Sequence, residues 1–185
     1  AVTHVNTSPS SHYLTSDSAI TALSAYTRIT GYVTISGSSI TDLSGLSNLT
    51  EIGSYLSISD TTALTSLTGL ENLTSVGTYV SINNCDALTS LGGLSGLETV
   101  GESFNLSSCD NASLTDLTGL TSLSSITGTL SINENSTLTG LSGLTSLTSI
   151  GGLAVDTNPA LASITGLPAA ITSVAGDVTI DNNDS

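Results

Sequence analysis

Three tyrosines, Tyr32, Tyr55 and Tyr79, recur at a spacing of about 24 residues, and each is followed two positions on by a hydroxyl: Thr34, Ser57 and Ser81. Aromatic rings flanked by hydroxyls suit a sugar, which offers an apolar face and a polar rim. The same pattern also suits plain reinforcement of neighbouring strands by cross-strand aromatic pairs. A second file at the same interval is threonine: Thr41, Thr65, Thr89, Thr115 and Thr139. A regular hydroxyl array on a flat β-surface is the kind of face that meets ice, but its neighbouring file is mixed (Asp42, Ser66, Ser90, Asp116, Gly140). The Thr/Ser row at Thr50, Thr74, Ser124 and Thr148 is broken by Glu98. Solvation of a β-surface by threonine accounts for both files.

Cys85 and Cys109 share one position in successive repeats. Stacked strands would bring their α-carbons to about 5 Å, within disulfide range. A bridge there suits an oxidising compartment; buried thiols filling the same slot are the alternative. Asp86 and Asp110 stand beside the cysteines. Stacked like charges are unfavourable and a cation would relieve them, yet two carboxylates make a poor calcium cage. No metal or other cofactor is expected. His4 and His12 lie in an irregular N-terminal stretch, and no H-E-x-x-H, G-x-S-x-G or phosphate loop occurs. The chain is expected to be non-enzymatic.

The formal net charge is −14, from 15 acids against the single base Arg28. Nucleic acid and anionic membranes are therefore unsuitable partners. No apolar run approaches a membrane span. Sequons fall at Asn6, Asn48, Asn72, Asn105, Asn111, Asn135 and Asn183, which are candidate glycosylation sites. With the cysteines they point to an extracellular or cell-surface protein.

These residues are positioned by a repeat of about 24 residues, a period that marks solenoids. Residues 77–100 hold one full copy, G-T-Y-V-S-I-N-N-C-D-A-L-T-S-L-G-G-L-S-G-L-E-T-V. The pairs Val33/Ile35, Leu56/Ile58, Val80/Ile82, Phe104/Leu106, Leu130/Ile132, Leu153/Val155 and Val178/Ile180 alternate as strands with one buried face must. Each complete pair is followed by a period-three ladder such as Leu64, Leu67, Leu70, Leu73 and Val76. Leucine every third residue drifts around a 3.6-residue turn, so helices are not expected. One coil cannot bury these side chains alone, whereas stacked coils share a continuous core.

Runs such as Leu73-Thr-Ser-Val76-Gly-Thr-Tyr-Val80-Ser-Ile82 and Leu147-Thr-Ser-Ile150 resemble the leucine-rich β-helix of receptor L domains and related repeats of secreted microbial surface proteins. The likeness runs over roughly residues 14–184. Cys85, Cys109, Asn135, Asn158 and Asn183 also sit where an ordinary leucine-rich repeat carries Asn or Cys, but Val76 to Val80 is one residue longer than that repeat allows. The expected fold is therefore all-β, a right-handed parallel β-helix, with a leucine-rich-repeat horseshoe as the alternative. Residues 1–13 are expected to form an arm or cap, and 14–185 a single solenoid domain with an uncapped C-terminal coil. The resemblance implies protein ligands without assigning a contact residue.

The function expected from these features is that of an extracellular structural or adhesive module, self-associating head to tail into filaments or meeting other proteins or glycans. Ice or carbohydrate binding through the Thr or Tyr ladder is the alternative.

Overall fold

The computed structural model describes residues 6–107, 114–171 and 173–183. Within them the chain is a right-handed parallel β-helix, and all strand pairs are parallel. Each coil contributes two strands. A short one forms the first column: Thr7–Ser8, Arg28–Ile29, Glu51–Ile52, Ser75–Val76 and Thr99–Val100. A longer one forms the second: His12–Leu14, Val33–Ser36, Leu56–Ser59, Val80–Asn83, Phe104–Ser107 and Val178–Asp181. Ser125–Asn133 and Ser149–Asp156 run through the corner between the columns and serve both.

Register is strict. Val33, Leu56, Val80, Phe104, Leu130, Leu153 and Val178 stand in one column, and Ile35, Ile58, Ile82, Leu106, Ile132, Val155 and Ile180 in another. From Val33 to Val155 these residues are buried, so a one-residue slip would turn a coil's apolar set outward, and burial on one face fixes the pairing. Val178 and Ile180 in the last coil are exposed.

The period-three ladder has a direct cause. Leu46 N–H donates to Leu43, Leu49 to Leu46, Leu70 to Leu67, Leu73 to Leu70, Leu94 to Leu91 and Leu97 to Leu94. These i→i+3 bonds place every third residue on one side, as three residues per turn requires. In three coils the turn is regular enough to be a short 3₁₀ helix, at Ser44–Leu46, Gly92–Leu94 and Thr118–Leu120. Every leucine from Leu43 to Leu147 is buried in one core that runs the length of the stack.

Two details differ from expectation. Of the residues read as an N-terminal arm or cap, the described ones belong to the first coil: Thr7–Ser8 pairs with Arg28–Ile29, and His12–Leu14 with Val33–Ile35. The spacing hides this because no V-x-I pair marks it; His12 occupies the first apolar slot. A single-turn helix, Asp17–Thr21, then replaces the usual turn, capped by Ser16 Oγ accepting from Ala19 N–H at 3.3 Å. The coil at 101–126 is two residues longer than its neighbours, and its residues 108–113 lie outside the described residues.

Glycine recurs where coils approach most closely. Gly69 has φ +114°, and a β-carbon there would run into the Leu43 carbonyl of the coil before. Gly140 has open space around it. Gly69→Ala should therefore lower the unfolding free energy in urea by at least about 1–2 kcal/mol, the left-handed backbone cost alone. Gly140→Ala should leave it within about 0.5 kcal/mol or raise it slightly. Equal effects would contradict the packing.

Candidate functional site

Tyr32, Tyr55 and Tyr79 come together as the repeat predicts. Their ring centroids are 4.6 Å apart in both pairs, with interplanar angles of 3° and 6°. Both faces of Tyr55 and the inner faces of Tyr32 and Tyr79 are thus covered within the stack, which leaves one outer ring face at each end and the ring edges along the strip. Four of the six ring faces that a sugar would need are occupied within the stack, which changes the chemistry read from the sequence. Such pairs contribute about 0.5–1.5 kcal/mol each beyond area burial. Burial, then the charge of the Tyr55 phenol beside it, push the Tyr79 hydroxyl above its ordinary pKa. Tyr13 lies on the same sheet face in the neighbouring row, paired with Thr34, and is 64% exposed.

The threonine file is exposed along its length, at Thr41, Thr65, Thr89, Thr115 and Thr139. Its hydroxyls are largely engaged with the protein. Thr89 Oγ1 donates to the Thr65 carbonyl at 3.1 Å, and Thr139 Oγ1 to the Thr115 carbonyl at 3.1 Å. Thr41 Oγ1 donates to Asp17 Oδ2 at 2.9 Å. Hydrogen bonds from the Thr41 and Asp42 amides add to this one and hold the Asp17 carboxyl below its usual range. An ice-facing role for the file would fall to methyl groups and lone pairs.

The slot beside the turn is a column of inward polar residues. Thr61 Oγ1 donates to Cys85 Sγ at 3.1 Å, and Cys85 Sγ lies 3.2 Å from the Asn83 carbonyl. Cys109, and with it the expected bridge, lies outside the described residues, as do Asp110 and Asn111. Asp86 is exposed. Further along the column, Asn135 Nδ2 donates to the Asn133 carbonyl and to Asn158 Oδ1, and Asn158 Nδ2 to the Asp156 carbonyl and to Asn183 Oδ1. Asn135 is 1% exposed. Asn183 Nδ2 donates to the carbonyls of Val155 and Asp181. Two of the seven sequons, Asn135 and Asn183, are therefore structural, since a glycan would displace these bonds. Asn6, Asn48 and Asn72 are exposed and Asn105 is half-buried on a strand face.

Ahead of the slots at Thr61, Cys85, Asn135, Asn158 and Asn183 the chain turns through the left-handed region without glycine, at Asp60, Asn84, Glu134, Thr157 and Asn182. Asn and Asp tolerate this conformation; Thr157 at φ 55° is strained. Sequence reading gave no sign of that column.

Ser8 Oγ and His12 Nε2 are 2.8 Å apart, the geometry of a nucleophile and its base. Ser8 is 2% exposed, however, and the pair ties together the two strands of the first coil. Burial lowers the His12 pKa.

A groove of about 480 Å³ lies along the short-strand column, between Arg28 at one end and Thr127 at the other. Arg28 Nη2 pairs with Glu51 Oε1 at 3.0 Å in a half-exposed ion pair. Ser75, Thr99 and Ser125 form one wall, and Gly53, Gly77 and Gly101 the floor. The glycines are required by stacking: a β-carbon on Gly77 would meet the Gly53 carbonyl, and one on Gly101 the Gly77 carbonyl. No single coil's sequence announces the groove, because each wall residue belongs to a different coil.

The family model for the receptor L domain matches residues 26–89, about a third of the chain. No curated protein matches it. The matched segment holds all three stacked tyrosines, the Arg28–Glu51 pair and the first half of the groove. Receptor L domains are typically extracellular and bind protein ligands. Among the described residues no helix is long and apolar enough to cross a membrane.

The raised Tyr79 pKa has a readable consequence. A group whose folded pKa lies above its unfolded value of 10.0 contributes stability fully present below pH 10.0 and lost as the pH rises through the folded value. Titration followed by phenolate absorbance should show a component above the ordinary tyrosine value, and Tyr79→Phe should remove it. Absence of such a component would contradict the burial of the Tyr79 phenol.

Proposed function

We propose that this chain is a non-enzymatic extracellular module that binds and adheres through the flank of its solenoid. The supporting observation is a coincidence of position. The receptor L domain likeness, residues 26–89, falls on the coils that carry the tyrosine stack and the ion-paired end of the groove. A stack whose backbone and buried side chains are bonded from coil to coil is rigid, so surface rows keep their spacing without a partner. Preorganisation of that kind lowers the ordering cost of binding. Regular rows over several coils also favour extended partners that contact many of them weakly.

The test uses fluorescently labelled chain applied to intact cells of its own organism. Saturable surface binding, displaced by unlabelled chain, is expected. Non-saturable or undisplaced signal would refute the reading. Light scattering over a dilution series of the same preparation reads the structural form of the proposal. Particle mass that grows with concentration supports rods joining one another, and constant monomer mass removes self-association from the function.

A further inference from the structure

Two rows of polar residues run side by side along the short-strand column, and the fold uses the hydroxyls of one of them. In the first row, Thr50, Thr74, Ser124 and Thr148 each donate both N–H and O–H to a single carbonyl of the coil before. Thr74 N and Oγ1 lie 2.9 and 3.0 Å from the Thr50 carbonyl, and Thr148 N and Oγ1 lie 2.9 and 3.1 Å from that of Ser124. The next residue in each coil belongs to the second row. The hydroxyls of Ser75, Thr99 and Ser125 have no hydrogen-bond partner among the described residues, and all three residues line the groove, as does Thr127. Donors and acceptors at coil spacing are thus free along one wall of a cavity whose volume lies in the usual range for ligand sites.

The groove's chemistry selects its occupant. Among the described residues that line it, the charged ones are Arg28 and Glu51, which neutralise each other at 3.0 Å. A polyanion would meet a chain of net charge −14, and a polycation would find a single carboxylate that is already paired. The floor offers a peptide little. Gly53, Gly77 and Gly101 donate their N–H groups to Ile29, Ile52 and Val76 of the preceding coil, so an added strand has no backbone donor to pair with there. The side chains of Ile52, Val76 and Val100 point into the core, leaving no apolar pocket for an anchor residue. What remains is a neutral trough of hydroxyls and peptide edges across five coils, roughly 19 Å at the spacing of parallel strands.

From this geometry we infer that the groove binds an uncharged linear glycan, laid along the solenoid axis with its hydroxyls bridging Ser75, Thr99 and Ser125. The inference rests on the binding-module reading above and names a ligand class for it. Tyr79 and the ring strip lie outside this contact.

Isothermal titration calorimetry of the intact chain tests it, with cellohexaose, laminarihexaose, mannohexaose and chitohexaose as neutral probes and hexagalacturonate as the charged one. At least one neutral hexasaccharide should bind. The Ser75→Ala/Thr99→Ala/Ser125→Ala variant, which removes hydroxyls without adding bulk, should weaken it by more than about tenfold. Ser75→Phe/Thr99→Phe should abolish it by filling the trough, while Thr65→Phe on the other side of the coil should not change it. Melting temperatures close to the parent's would show that the variants fold. Binding that survives both groove variants overturns this assignment and leaves the module reading standing. Preference for hexagalacturonate overturns the neutral class. No binding by any hexasaccharide overturns the inference outright, and the cell-surface result then decides the module reading separately.

Discussion

The in-register parallel stack is the constraint on which everything else depends. Once coils lie one above another at strand spacing, each position becomes a column, and each column is satisfied largely by the residues that neighbouring coils bring to it. Apolar columns form a core with no ends inside the stack. Where the main chain of two coils approaches most closely, only glycine fits, as at Gly69 and along Gly53, Gly77 and Gly101. Inward polar positions have no water to turn to, so Asn135, Asn158 and Asn183 bond to each other and to nearby carbonyls.

The same rule decides which surface residues are available to anything else. A threonine that donates its hydroxyl to the carbonyl one coil back is part of the scaffold, however exposed it is. Tyr55, whose two faces are covered by Tyr32 and Tyr79, has likewise been drawn into the stack. Exposure alone is therefore a poor guide to function on this surface. The better guide is whether a polar group is left over after the stack has been satisfied, and the row Ser75, Thr99 and Ser125 passes that test.

Most of the fold was legible in the sequence because the apolar columns repeat by residue type. The V-x-I pairs fixed the long strands and the period-three leucines fixed the turns that follow. The first coil escaped because His12 stands where later coils carry Val or Leu. The left-handed positions escaped because Asp, Asn, Glu and Thr occupy them without a common pattern. At the site, sequence placed the tyrosine and threonine files correctly but could not give ring orientation or the direction of hydroxyl bonds. Those depend on the neighbouring coil rather than on the residue itself. The groove was invisible for the same reason.

Amide hydrogen exchange, resolved by residue, tests the stack most directly. Gly77 and Gly101 sit at the surface of the groove, yet their N–H groups donate to Ile52 and Val76 at 2.9 and 3.0 Å. They should exchange as slowly as the central strand amides of Ile58 and Ile82, opening only with the whole stack. Exchange at the rate of unprotected surface amides would mean that coil-to-coil bonding stops short of the groove floor, and the account of the columns would fail with it.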